Sequence, residues 1–304
     1  MREIHPKENE LLKKARGGAP AGDGECGFLR TDEGVRLFFN RWLPAGKAPT
    51  TVVVCLHGMG AHGSYFSPLA DVLTPMGMAV YAVDHRGHGL SDGVKGDMPD
   101  GRKLVSDAVE FLKYAQSLHP GLPLFVAGES MGGAITIQVA MAESERLNGC
   151  IMLAPALQGA KKLTFGEIVR IPYWALLLLF NPGKNVVKTI GNESLVYQSR
   201  DYIDFEHTDQ DHLQWVSLRY LLNLKKLMDR SRKWGPSEIK CPTLILQGGS
   251  DKVCAADAVK KFFSDMQVKD KTLRFYEKGY HCLLADPDAP DSRETIAEWI
   301  VKHS

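Results

Sequence analysis

The feature that most constrains this chain is the alternation of short apolar runs with stretches of helical spacing. TTVVVCLHG, MAVYAVDHRG, PLFVAGES and NGCIMLAPA read as buried strands, and residues 67–76, 101–118 and the segment MGGAITIQVAMAE read as the helices between them. Strands that are apolar on both faces and joined through helices form a parallel sheet with helices covering both sides. The expected fold class is therefore α/β, with a mostly parallel central sheet. A hairpin, FLRTDEGVRLFFNRW turning at Asp32-Glu33-Gly34, precedes it. The rhythm breaks after Pro155 and resumes at CPTLILQGGSD, followed by a helix over 256–266, the strand TLRFYEKGYH and a terminal helix over 291–302.

This pattern divides the chain into a solvated tail (1–26), a first part of the core (27–156), an inserted helical cap (157–239) and a second part of the core (240–304). The cap shows no clear strand, and one long helix is expected over 209–232, opened by Thr208 and Asp211 as a capping box. The apolar run 171–180 contains Pro172 and falls short of the roughly 18 residues needed to cross a bilayer. The N-terminus has no apolar stretch of the secretory kind. Six cysteines are scattered, with Cys55, Cys150 and Cys241 in or beside apolar runs, where a thiol behaves as a small hydrophobe. A reduced, cytoplasmic protein is expected. The formal charge of +1 leaves no field to attract nucleic acid, which is excluded as an expected partner.

Gly128-Glu129-Ser130-Met131-Gly132 fits G-x-S-x-G between a strand and a helix, the setting in which a tight turn lifts a serine hydroxyl out of the sheet. Ser130 is the candidate nucleophile, and the Met131 N–H at the helix start is placed to stabilise an oxyanion. His57-Gly58-Met59-Gly60 ends an earlier strand; the Met59 N–H is the candidate second donor, and Gly58 lets a substrate approach the backbone. His57 reads as structural. A serine needs a base, and the base needs an orienting acid. Of ten histidines, His207, His212, His281 and His303 follow Ser130, and only His281 ends a core strand. Asp251, directly after TLILQGGS, is the candidate acid; Asp257 and Asp286 compete, but one lies on a helix and the other follows the histidine. Asp84-His85-Arg86-Gly87-His88-Gly89 matches no zinc spacing and reads as a structural loop. No metal or organic cofactor is expected.

The motifs LHGMG, DHRGHGLSDG, HPGLPLFVAGESMGGAI, QGGSDKVC and EKGYHCLLAD, in this order, resemble the monoacylglycerol lipase family and the related plant lysophospholipases and caffeoylshikimate esterases. The resemblance covers 27–156 and 241–304. It implies an α/β-hydrolase fold with a lid in the place of the cap, a triad of Ser130, Asp251 and His281, and Met59 and Met131 as oxyanion donors. It also implies that Cys254, three positions after the acid, lies near the acyl channel. Animal relatives carry a Glu and an Arg after the HGxG loop and a second His after the catalytic one, which hold the glycerol head; Ala61, Tyr65 and Leu284 stand at the corresponding positions here. The alcohol pocket is accordingly expected to be apolar apart from the Tyr65 hydroxyl, unless cap residues such as Asn192 or Glu193 add polarity. Gly58, Tyr65, Cys254 and Leu284 are the candidate substrate-binding residues. The implied activity is hydrolysis of a monoacylglycerol-like or other monoacyl lipid ester, a small-molecule substrate, with peripheral membrane contact through the cap. A lysophospholipase, a general carboxylesterase, a peptidase and a non-catalytic binding scaffold are the alternatives.

Overall fold

The computed structural model describes residues 24–160, 171–189 and 196–304. An eight-stranded sheet runs in the order β1-β2-β4-β3-β5-β6-β9-β10. Its strands are β1 (Glu25–Arg30), β2 (Arg36–Trp42), β3 (Thr51–Leu56), β4 (Met78–Val83), β5 (Leu124–Glu129), β6 (Gly149–Leu153), β9 (Thr243–Gly248) and β10 (Lys271–Tyr276). The hairpin β1–β2 and the β2–β4 pair are antiparallel, and every other neighbouring pair is parallel. β1 begins at Glu25, inside the segment expected to be tail.

Period-two alternation along the central strands sends side chains into two separate apolar layers. Val52, Val54, Leu56, Val126 and Met152 face α2 (Gly101–Ser117) and α3 (Met131–Glu143). Val53, Cys55, Phe125, Ala127 and Ile151 face α1 (Ser67–Leu73) and α8 (Ser292–His303). That two-sided burial is why β3 to β6 read as unbroken apolar runs. α3 is apolar all round and buried from Met131 to Ala140, as a helix enclosed by a sheet and other helices must be.

The cap departs from expectation in two ways. It contains a two-stranded antiparallel ribbon, β7 (Asn185–Lys188) with β8 (Trp215–Ser217), where no strand was foreseen. The helix expected over 209–232 also has other bounds. α5 (Arg200–Thr208) ends at Thr208, whose hydroxyl donates back to the Asp204 carbonyl. The long helix α6 (Leu218–Glu238) starts ten residues later, where the Ser217 hydroxyl accepts the Tyr220 N–H at 2.9 Å. The apolar helical spacing was real but its start was misplaced, because Trp215–Ser217 is drawn into the ribbon and the cap role falls to Ser217. α6 packs on α3: Gln138 Nε2 donates to the Leu227 carbonyl and the Ser231 hydroxyl, both at 3.1 Å. The apolar run forms α4 (Ile171–Phe180), which leaves Tyr173, Leu176, Leu179 and Phe180 exposed. Helix α7 (Ala256–Asp265) completes the layer beside α6. Among the described residues no helix is long and apolar enough to cross a membrane.

Candidate active site

The sequence candidates converge at the carboxyl ends of β3, β5, β9 and β10, where open α/β sheets bind ligands. Ser130 stands between β5 and α3 with φ 55° and ψ −115°, a left-handed conformation that costs a non-glycine residue about 1–3 kcal/mol. The turn is pinned on both sides: the Ser130 N–H donates to the Leu153 carbonyl at 2.9 Å, and the Ser130 carbonyl accepts from the Ala134 and Ala156 amides. A side chain at Gly132 would run into the Leu56 and His57 carbonyls, the latter 2.7 Å from a Cβ there, so β3 and the turn approach through glycine alone. Met131 is the first residue of α3 and Met59 sits on the adjoining loop, beside Gly58, whose Cβ position lies 3.3 Å from that of Ser130.

Asp251 and His281 are brought together by the parallel pair β9–β10, which ends in register at Gly248 and Tyr276. His281 Nδ1 lies 2.8 Å from Asp251 Oδ2, with both side chains buried. Asp251 Oδ2 also accepts from Gln247 Nε2, and its Oδ1 accepts the Val253 and Cys254 amides at 2.8 and 2.9 Å. Burial pushes the Asp251 carboxyl up, but the His281 charge, its hydrogen bond and these amides outweigh burial and hold the group below the usual range. Burial likewise pushes His281 down, and the neighbouring carboxylates outweigh it, so its pKa is raised. Asp257 lies on α7, and Asp286 accepts the Tyr280 amide rather than a histidine ring.

Cys254 is buried with its thiol against the Ser130 side chain, and burial, followed by the Asp251 charge, pushes that thiol well above its ordinary range. Leu284 lies in the apolar layer with Leu246, Leu283 and Ile296. The Asp251, Cys254 and His281 donor atoms fall within 4.8 Å of one another, and among the described residues they form the one group with metal-ligand character. Their pairing is already accounted for by the hydrogen bond.

The 84–89 loop is structural, as expected. Asp84 accepts the Gly63 and Leu90 amides, Arg86 forks onto Asp107, and His57 Nε2 accepts the His85 amide at 2.9 Å. The His57, His85 and His88 rings pack against one another, and His88 Nε2 lies 3.0 Å from the Tyr220 hydroxyl, which in turn donates to Met131 Sδ.

Sequence reasoning missed two groups. One joins the cap to the loop after β3. The Tyr65 hydroxyl donates to Asp209 Oδ2 at 3.1 Å and lies 3.2 Å from His212 Nδ1; His62 Nε2 bonds the same Asp209 oxygen at 2.8 Å. His212 packs on Gly60, at φ 85°, and the Leu213 amide donates to the Gly60 carbonyl at 2.9 Å. The edge expected to be apolar therefore carries Asp209, His62 and His212 beside Tyr65. Asn192 and Glu193 lie outside the described residues. Nothing in the local spacing marks Asp209, because its partners are about 145 residues away in sequence. The other missed group is Glu129, whose Oε1 is shut off from solvent and has no hydrogen-bond partner among the described residues.

A strained serine between a parallel strand and a buried helix, in a sheet of this order, defines the α/β-hydrolases. Within that class, the family described as serine aminopeptidase, S33 matches residues 47–288, and this chain belongs to it. The chain is 28% identical to the monoglyceride lipase of Mus musculus over 274 residues, covering 88% of each protein. It is 25% identical to the caffeoylshikimate esterase of Arabidopsis thaliana over 289 residues, covering 91% of this chain and 86% of that one. Among solved structures, the monoacylglycerol lipase of Paleococcus ferrophilus is similar with a TM-score of 0.76 at 25% identity, covering 88% of this chain and 99% of that chain. A soluble variant of the Saccharomyces cerevisiae monoglyceride lipase shares the fold, with a TM-score of 0.80 at 21% identity and coverage of 93% and 97%. The protein is a monoglyceride-lipase-like serine hydrolase.

Proposed function

We propose that the protein hydrolyses carboxylic esters of a single fatty acyl chain, monoacylglycerol foremost, through an acyl-enzyme on Ser130. The observation that carries this reading is the buried 2.8 Å contact between His281 Nδ1 and Asp251 Oδ2 at the same end of the sheet as the strained Ser130. Asp251 fixes the tautomer, leaving His281 Nε2 to take the Ser130 proton as the hydroxyl attacks the ester carbonyl. The Met59 and Met131 amides receive the oxyanion, and His281 returns the proton to the departing alcohol. Water then repeats the sequence on the acyl-enzyme. The names of the relatives support a lipid ester as substrate. Residues 157–239 act as a lid, with Gly58 and Cys254 bordering the acyl site and Leu284 an apolar part of the alcohol pocket.

The polar edge of Tyr65, His62, Asp209 and His212 favours an alcohol that carries hydroxyls, because a glycerol hydroxyl can join this hydrogen-bonded network and a methyl group cannot. The test is labelling by a fluorophosphonate probe, with the adduct mapped by peptide mass, followed by kcat/KM for a monoacylglycerol against the methyl ester of the same acid. Labelling at Ser130 and a glycerol preference above about tenfold, equivalent to ~1.4 kcal/mol of transition-state binding, are expected. No adduct sinks the mechanism. An adduct with equal kcat/KM values leaves a general carboxylesterase.

A further inference from the structure

Glu129 ends β5, directly before Ser130, and the turn itself asks only for a side chain that fits. Instead a carboxyl group is turned inward: its Oε1 is sealed from solvent and meets no donor among the described residues, and its hydrogen-bonding contact is with the Cys282 thiol. A carboxyl group is kept buried only where its neighbours compensate it. The titratable groups that act on Glu129 are His281 and Cys282 from the turn after β10, and Asp251 and Cys254 from the loop after β9. Among the described residues no lysine or arginine is one of them, and His281 is the neighbour there able to carry positive charge when Glu129 is ionised.

We propose that Glu129 is a positioning residue, a switchable counter-charge that sets how readily His281 holds the proton it takes from Ser130. No proton passes through it. When ionised, it acts through the low-dielectric interior on the imidazolium formed when the Ser130 Oγ–H proton moves to His281 Nε2, while Asp251 stays ionised on the other ring nitrogen. When protonated, it withdraws that help. Burial is the main influence on its own ionisation and the Asp251 charge adds to it, against opposition from His281 and the thiol, which puts the carboxyl at about 7. His281 and Glu129 therefore titrate as a coupled pair, and loss of protons from both marks the onset of full activity.

This inference rests on the roles proposed for Ser130 and His281, so the test separates the two. The full-length protein and Glu129→Gln are compared by the rate of fluorophosphonate inactivation and by kcat/KM, each across pH 5–9. The wild type is expected to rise steeply, with more than one proton lost on its acid limb. Glu129→Gln is expected to rise with one proton, at lower pH, to a plateau roughly three- to tenfold below the wild type, as a weaker base gives. Superimposable profiles overturn the inference and leave the mechanism standing; no adduct on the wild type overturns both. If Glu129→Gln does not fold, the side-chain carboxyls of wild-type protein labelled with ¹³C glutamate are titrated by NMR, before and after phosphonylation. One carboxyl with a near-neutral midpoint that moves once the adduct forms supports the inference. A full set of carboxyls with ordinary, adduct-insensitive midpoints overturns it.

Discussion

At Ser130 stability and chemistry pull in opposite directions. The residue occupies φ 55° and ψ −115°, a region that only glycine enters without penalty. Ser130→Gly is therefore expected to unfold at higher denaturant, by about 1 kcal/mol, even though it removes the hydroxyl. Ester turnover should fall by roughly 10⁴ to 10⁶ in the same protein, as it should in Ser130→Ala, which relieves no strain. A turnover loss of less than tenfold in either variant would remove Ser130 as nucleophile. Asp209 makes a second residue-scale case, since its Oδ2 serves both His62 and Tyr65. Asp209→Ala should lower kcat/KM for monoacylglycerol more than for the matching methyl ester. Equal losses on both substrates would show that the carboxylate braces the Gly60 loop and does not read the alcohol.

Elements whose own residues determine them were legible in the sequence. β3, β5 and β6 are apolar on both faces, and α3 runs from Met131 to Glu143 as its apolar, glycine-opened sequence implies. Three of the motifs end strands, so Ser130, Asp251 and His281 could be placed before any coordinates. The cap was not legible in the same way. Its ribbon pairs Asn185–Lys188 with Trp215–Ser217 across a long separation, and strands this short carry no periodicity of their own. The Asp209 contacts are longer-range still. α4 was legible as an element because ten residues from Ile171 to Phe180 are almost wholly apolar. Its exposed Leu176, Leu179 and Phe180 suit insertion at a lipid surface. Changing these three residues to serine should reduce co-sedimentation with phosphatidylcholine vesicles and hydrolysis of long-chain esters, while short-chain hydrolysis and the melting temperature stay near wild type. A fall on every substrate, with a lower melting temperature, would mean the helix is packing surface.

For the whole molecule, the buried histidines are expected to weaken the fold in acid. His57, His85 and His88 are buried and stay neutral: burial, and for His57 and His88 the neighbouring histidines too, pushes them down, to about 4 for His85 and about 3 for His88. In the unfolded chain each has a pKa of about 6.5, so below that pH the unfolded state binds more protons, and stability drains away as the pH falls. His62 and His281 are held up by carboxylates and work the other way, contributing stability below about 6.5 that is lost as the pH rises through their folded values. Urea midpoints should therefore drop steeply between pH 6 and pH 4.5, and His88→Gln should flatten that slope by about one proton. A slope unchanged in the variant would place the acid lesion elsewhere. At the entrance to the cap, the Ala255 amide donates to the Gln158 carbonyl at 2.8 Å and the Ala160 amide to the Val253 carbonyl at 2.9 Å. The first residues of the insertion are thus sewn to the stretch whose amides hold Asp251 in place. Anyone grafting a foreign lid onto this frame should cut after Ala160: a seam at residue 157 trades away the stitches that steady the acid, and the chimera would pay in catalysis for what looks like a change of roof.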